Sequence, residues 1–242
     1  MLVKTYNITS DPQVTLTAYI TATSDEMKRN ERLPAVLVLP GGAYKFCSDR
    51  EAEPIALAYL AKGFNTFVLR YSLGEKAEFP APLNDAEAAL KFIRKNAVEF
   101  CVDPQKIAVC GFSAGGHLAA ALSSMAEEKP NACILGYPCI LESIGSILAK
   151  PIPSVEKYVS DKTPPTFIFA ASDDSTVPVE NSLCYALELK KHGVSFEMHI
   201  FDRGEHGFSL ANEIVCGEDW LKNCADASYW LDRSVAWLKN NM

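Results

Sequence analysis

Five short apolar runs limit what this chain can become: Ala35–Leu39, Thr66–Tyr71, Ile107–Cys110, Ala132–Leu135 and Thr166–Ala170. Each is bounded by turn residues and lacks the alternation of a strand with one wet face, so each reads as a strand buried on both sides of a parallel sheet. Val14–Ile20 alternates as a half-exposed strand does, and Ser195–Phe201 has the pattern of an edge. Between the runs lie stretches with helical character: 52–62, which stops at Gly63, then 83–99, 114–125, 180–191 and 220–238. Strands alternating with helices imply an α/β fold, a mainly parallel twisted sheet covered by helices on both faces. The expectation is one domain over 1–242, because 242 residues, 48% of them hydrophobic, suffice for one such core and are short for two. The irregular segment 139–162 is a small cap or a loop insertion.

Charge and composition narrow the function classes. The net charge is −7 and the longest basic cluster is Lys190-Lys191, which argues against nucleic acid as a partner. No apolar run approaches a membrane span, and the amino-terminal stretch has no secretory core. The eight cysteines are scattered without a C-x-x-C pair, so reduced thiols and a cytoplasmic location are expected. No HExxH, Walker or G-x-G-x-x-G pattern occurs, and neither a metal nor another cofactor is expected.

The chemistry centres on Gly111-Phe-Ser113-Ala-Gly115, a G-x-S-x-G that follows an apolar strand and opens a helix. A serine on such a turn projects its hydroxyl past the sheet edge, and the helix N-terminus behind it offers unpaired N–H groups to a developing oxyanion. A base must come from four histidines. His199 lies within a strand and His192 follows two lysines at a helix end. His117 is one helical turn beyond Ser113 and reads as support beside the elbow. His206, in the loop Asp202–Phe208 after the last strand and flanked by Gly204 and Gly207, is the candidate base. The orienting acid belongs in Ala170–Pro178, where Asp173 and Asp174 compete. Asp174 is the choice, at the D-x-x-V-P spacing and in the order serine, acid, histidine. Small residues at 41–43, after Ala35–Leu39, can turn backbone N–H groups toward the serine. The expected oxyanion donors are Gly42, Ala43 and Ala114.

With these residues in place, the chain from Leu33 onward resembles the α/β-hydrolase superfamily. Within it, the chain is similar to the small acetyl esterases and acetyl-xylan-esterase-like "sugar hydrolases". The resemblance is carried by PGGAY (40–44), SDREAEPIA (48–56), FVLRYS (67–72), KIAVCGFSAGGHLAA (106–120), PPTFIFAASDDSTVPVENSL (164–183) and GEHGFSLA (204–211). Pro40 and Ala43 depart from the HGGG of lipase-like relatives. Alanine keeps the N–H, and the hole survives unstrained if its φ is negative.

The resemblance implies a sheet of about eight strands, a minimal cap and a serine carboxylesterase. Ser113, Asp174 and His206 would be its triad, acting through an acyl-enzyme on short-chain, expected acetyl, esters of sugars or small alcohols. It also implies Tyr44, Arg50 and Glu53 near the pocket, although a structural ion pair bracing that loop is an equal alternative. The partner expected is a small ester substrate such as an acetylated sugar, with no nucleic acid or membrane; a homo-oligomer is compatible. Two alternatives stand: a small prolyl-oligopeptidase-like serine peptidase, and a silent hydrolase fold used for binding.

Overall fold

All five apolar runs become the middle of one sheet. The structure, a computed structural model, describes residues 1–22, 24, 26 and 32–242. Its strands are β1 (Leu2–Asn7), β2 (Thr15–Ile20), β3 (Leu33–Leu39), β4 (Asn65–Arg70), β5 (Val102–Phe112), β6 (Ala132–Gly136), β7 (Thr166–Ala171) and β8 (Phe196–Phe201). Across the sheet they run β1-β2-β4-β3-β5-β6-β7-β8. Pairing is parallel from β4 to β8, while β1 and β2 add an antiparallel edge.

The helices are α1 (Glu53–Ala61), α2 (Ala81–Lys95), α3 (Ser113–Ser124), α4 (Glu180–Lys191), α5 (Glu218–Cys224) and α6 (Trp230–Asn241). They divide between the two faces. On one, Leu37, Leu39, Leu69, Val109 and Leu135 pack beneath α2, α3 and α4; on the other, Val36, Val38, Val68, Cys110 and Ile134 pack beneath α1 and α6. Alternate residues of each strand feed opposite cores, so the buried positions of the central strands are apolar on both faces apart from Asn65, Thr66 and Thr166 near their starts.

Two features differ from the expectation. β1 has no apolar stripe to announce it. Its residues are exposed except Tyr6, whose ring meets Phe92 and Phe100 at 5.3 and 5.6 Å, and the strand is held by its pairing to β2. The single helix expected over 220–238 is two, joined by a 3₁₀ turn at Ala225–Tyr229. Cys224, Ala227 and Trp230 are all buried, and a spacing of three is the period of a 3₁₀ helix. The tighter turn keeps all three on one face, where an α-helix would rotate them apart.

The segment 139–162 holds two 3₁₀ turns, Glu142–Ile147 and Val155–Tyr158. Leu148, Ile152, Val155 and Val159 anchor it in the core shared with α3 and α4. It is tied further by Asn181 Oδ1, which accepts from the amides of Ile140 and Leu141.

Trp230 joins the far core to the loops above it. Its indole stacks on Phe169 at 4.2 Å and 11°, and its Nε1 donates to the Ser209 carbonyl at 2.7 Å. Trp230→Ala removes both a fully buried aromatic and that donor, so unfolding in urea should show a loss of about 3–5 kcal/mol.

Candidate active site

The parallel order sends the C-terminal ends of β3, β5, β7 and β8 to one edge of the sheet, where the loops that follow them converge. β5 runs straight into α3. Phe112 is extended (φ −123°, ψ 136°), and Ser113 then takes φ +53°, a left-handed conformation that a non-glycine residue adopts at a cost of about 1–3 kcal/mol. What holds it is backbone against backbone. A Cβ on Gly111 would sit 2.1 Å from the Gly115 carbonyl oxygen, and one on Gly115 would sit 2.1 Å from that of Leu39. Glycine at 111 and 115 therefore lets strand and helix close on each other.

Three side chains meet at this edge. Ser113 Oγ lies 2.8 Å from His206 Nε2, and His206 Nδ1 lies 2.7 Å from Asp174 Oδ2. The other oxygen, Asp174 Oδ1, accepts from the amides of Thr176 and Val177, both at 2.9 Å. With the carboxylate fixed from below, Nδ1 donates to it, Nε2 is left as an acceptor, and the serine hydroxyl donates to Nε2. The neighbouring acid points elsewhere: Asp173 Oδ1 accepts from the Gly204 amide at 2.8 Å and so fastens the loop that carries His206. The Tyr137 ring stands edge-on to His206 at 5.1 Å.

The loop after β3 presses on the elbow. A Cβ on Gly41 would meet the Phe112 carbonyl oxygen at 2.7 Å and Ser113 Cβ at 2.9 Å. Among the described residues, the amides of Gly42, Ala43 and Ala114 donate no hydrogen bond and remain open beside Ser113. Ala43 does not have the negative φ that would leave it unstrained. Gly42, Ala43 and Tyr44 have φ of +122°, +58° and +57°. The turn is held by the Gly42 carbonyl, which accepts from Lys45 and Phe46, and by Ala43 and Tyr44 carbonyls accepting from Ala149 and Gly74.

Each of the three residues expected near the pocket has partners of its own. Tyr44 is buried, and its hydroxyl bonds His117 Nδ1 at 2.8 Å. Arg50 is exposed, with its guanidinium 4.5 Å over the Trp220 ring. Glu53 accepts from the Tyr19 hydroxyl at 3.2 Å and from Arg70 at 3.3 Å, so its ion pair is with Arg70 rather than with Arg50.

His117 is the support expected of it. Nε2 donates to the Pro153 carbonyl at 3.0 Å, so Nδ1 is the acceptor for the Tyr44 hydroxyl. Complete burial, partly opposed by the Pro153 bond, pushes its pKa down to about 4. The imidazole thereby ties the turn at 42–44 to the strap 139–162 as a neutral group.

The motifs left three neighbours unannounced. Cys139 Sγ lies 4.0 Å from Ser113 Oγ, its amide donates to the Ser113 carbonyl at 3.0 Å, and burial pushes the thiol up to about 12, so it is a neutral wall. Glu51 is buried and accepts from the Gly41 amide at 2.8 Å and from the Tyr137 hydroxyl at 2.7 Å. Nothing in SDREAEP distinguishes Glu51 from the acid two places on, and neither Tyr137 nor Cys139 belongs to a motif.

A strained serine at a strand-to-helix turn, a histidine and an acid from later loops, and a turn with unpartnered amides packed on the elbow define an α/β-hydrolase. The chain belongs to that family. It aligns along 99% of its length with 97% of the solved MGS-M1, an α/β-hydrolase enzyme from a Medee basin deep-sea metagenome library, at 45% identity and a TM-score of 0.93. A family model described as BD-FAE matches residues 24–143, and one described as the prolyl oligopeptidase family matches 148–242. Among curated proteins it is similar to endo-1,4-beta-xylanase B of Butyrivibrio fibrisolvens, 35% identical over 78% of this chain and 34% of that one. It is also similar to the acetylxylan esterase of Xylanibacter ruminicola, 29% identical over 81% of this chain and 45% of that one. The chain thus spans between a third and a half of the length of these two curated relatives.

Two outcomes test the geometry. Asp174→Asn presents the wrong partner to Nδ1–H and should lower kcat by about 10⁴. Asp173→Asn keeps an acceptor for the Gly204 amide and should stay within about tenfold of the parent, since it risks one hydrogen bond. For His117 the unfolded imidazole takes up a proton near pH 6.5 that the buried one refuses until about pH 4. The stability its neutral form contributes is therefore complete above pH 6.5 and lost as pH falls toward 4, on the order of 3 kcal/mol. Denaturation series for the parent and His117→Gln should differ in slope across that window and run parallel above it.

Proposed function

We propose that the protein is a serine carboxylesterase that removes short acyl groups, acetyl foremost, from sugars or small alcohols. The observation that carries this reading is the continuous relay from Ser113 Oγ through His206 to Asp174, set beside amides at Gly42, Ala43 and Ala114 that have no acceptor among the described residues. Ser113 attacks the ester carbonyl as His206 Nε2 takes its proton. Asp174 holds the imidazole and balances its positive charge. The open amides receive the oxyanion, where one donor is worth about 3 kcal/mol. His206 then protonates the departing alcohol and activates the water that releases the acyl group.

Three features support a small substrate. Ser113 is only 7% exposed, Cys139 walls one side of its hydroxyl, and the strap 139–162 is anchored in the core. Similarity to an acetylxylan esterase supports acetyl on a xylose-based sugar as the ester. A peptidase reading has one observation in its favour, the prolyl oligopeptidase family model matching the half of the chain that carries Asp174 and His206.

Turnover of nitrophenyl acetate, butyrate and octanoate, of acetylated xylo-oligosaccharides and of a prolyl-nitroanilide peptide separates these readings. Acetate and the acetylated sugar should be fastest, and Ser113→Ala should lose about 10⁶ in kcat together with its fluorophosphonate adduct. Octanoate fastest with the sugar inert would remove the carbohydrate reading, and a faster peptide would replace the esterase by a peptidase.

A further inference from the structure

Glu51 is a buried carboxylate that the acyl-transfer steps above do not use. It is 2% exposed, and among the described residues no lysine or arginine pairs with it. A carboxyl taken out of water without a counter-ion is costly, and burial accordingly pushes its pKa up, against the pull of the Tyr137 and Gly41 bonds and of His206 and Arg50. An apolar side chain would fill this space more cheaply, so what matters is what the two oxygens hold.

Oε2 holds the Gly41 amide, immediately before the two open amides of the turn. Fastening that N–H fixes the peptide plane from which the Gly42 and Ala43 amides follow. Oε1 holds the Tyr137 hydroxyl, and the Tyr137 oxygen accepts from the Ser209 amide at 3.0 Å. Ser209 Oγ in turn donates to the carbonyl of Arg50, the residue before Glu51, at 2.6 Å. The chain closes on the segment that carries His206, whose ring and that of Phe208 both lie edge-on to Tyr137. Tyr137 and Ser209 have φ of +34° and +49°, so the backbone at both is strained into place.

We propose that Glu51 is a positioning residue of the site: its carboxylate holds the oxyanion turn, through Gly41, and the histidine loop, through Tyr137 and Ser209, at the separation the tetrahedral transition state requires. The inference rests on the reading of Ser113, His206 and Asp174 as the triad. One carboxylate spans the donor side and the base side of the reaction, so its loss should misplace both at once. Substrate in its ground state makes little use of that spacing, and a phenylboronic acid, which becomes tetrahedral on the serine, makes full use of it.

The test measures kcat, KM and phenylboronic acid inhibition with nitrophenyl acetate for Glu51→Ala, Glu51→Gln, Tyr137→Phe and Ser113→Ala, alongside thermal unfolding. Glu51→Ala should lower kcat by about 10²-fold with KM within about threefold, and weaken the boronate by the same factor as kcat. Glu51→Gln keeps one acceptor, and Tyr137→Phe removes one hydroxyl from the chain. Each should cost about tenfold in kcat, the worth of a single hydrogen bond. If Glu51→Ala fails to fold, the two milder variants decide. Folded Glu51→Gln and Tyr137→Phe proteins with kcat and boronate affinity within about twofold of the parent would overturn the role, even if their unfolding temperatures drop. Turnover that survives Ser113→Ala overturns the triad reading and this role with it. Turnover abolished there but unchanged at 51 and 137 overturns only the role of Glu51.

Discussion

The contact between the Gly111–Gly115 backbone and the end of β3 is what the rest of the site depends on. With Gly115 packed against the carbonyls of Leu39 and Pro40, α3 begins directly above the sheet. Ser113 has no room for a relaxed turn and takes φ +53°. The same closeness brings the turn at 41–44 against the elbow. Ser113 and the amides of Gly42 and Ala43 thus belong to one joint, and only His206 and Asp174 have to be delivered by loops. Parallel pairing of β5 with both β3 and β6 carries the strain, because relaxing Ser113 would slide Gly111 out of register with Leu39 and Leu135 at once.

The polar groups around that joint are divided so that each has one task. Two adjacent acids separate, Asp174 onto the imidazole and Asp173 onto the amide of Gly204 in the same loop. Two imidazoles lie close to the elbow. His117 is buried and neutral and braces the turn at 42–44 through Tyr44, and His206 at the rim keeps Nε2 for the serine. Burial accounts for the division. A histidine with no access to water and no acid beside it is poorly suited to gain a charge, which is why His117 serves as a brace.

What the sequence disclosed followed from how local the cause was. The central strands were legible because burial on both faces leaves mostly apolar residues in them, and β1 was not because its pairing leaves no apolar signature. Ser113, His206 and Asp174 stand in short motifs whose spacing reflects a turn within the motif itself. Glu51, Tyr137 and Cys139 were silent for the opposite reason. Glu51 and Tyr137 are 86 residues apart, and their meeting is a product of the crossover from β3 to β6 that no local pattern records. The same holds for Tyr44 and Glu53, whose proximity to the site was implied by a motif but whose partners, His117 and Arg70, are set by tertiary packing. Even the φ of Ala43 is tertiary in origin, held by the amides of Ala149 and Gly74, which donate to the carbonyls of Ala43 and Tyr44.

Backbone strain is distributed in the same way. Among the described residues, seven non-glycines have positive φ: Ala43, Tyr44, Cys101, Ser113, Tyr137, Ser209 and Ala211. Five of them lie in the elbow, the turn at 42–44 or the contacts of Glu51, and Ala211 donates its amide to the Phe208 carbonyl. Left-handed conformations cost on the order of 1–2 kcal/mol each, a heavy load for a fold whose whole stability is of order 5–15 kcal/mol. A protein under no demand for fixed geometry would relax them one at a time through glycine or a longer loop. Their concentration at one sheet edge means that the hydrogen bonds there hold a shape the chain would not otherwise adopt. That shape keeps the Ser113 hydroxyl on His206 Nε2 and leaves the amides of Gly42, Ala43 and Ala114 without a partner among the described residues, which is the arrangement the proposed esterase needs before an oxyanion forms.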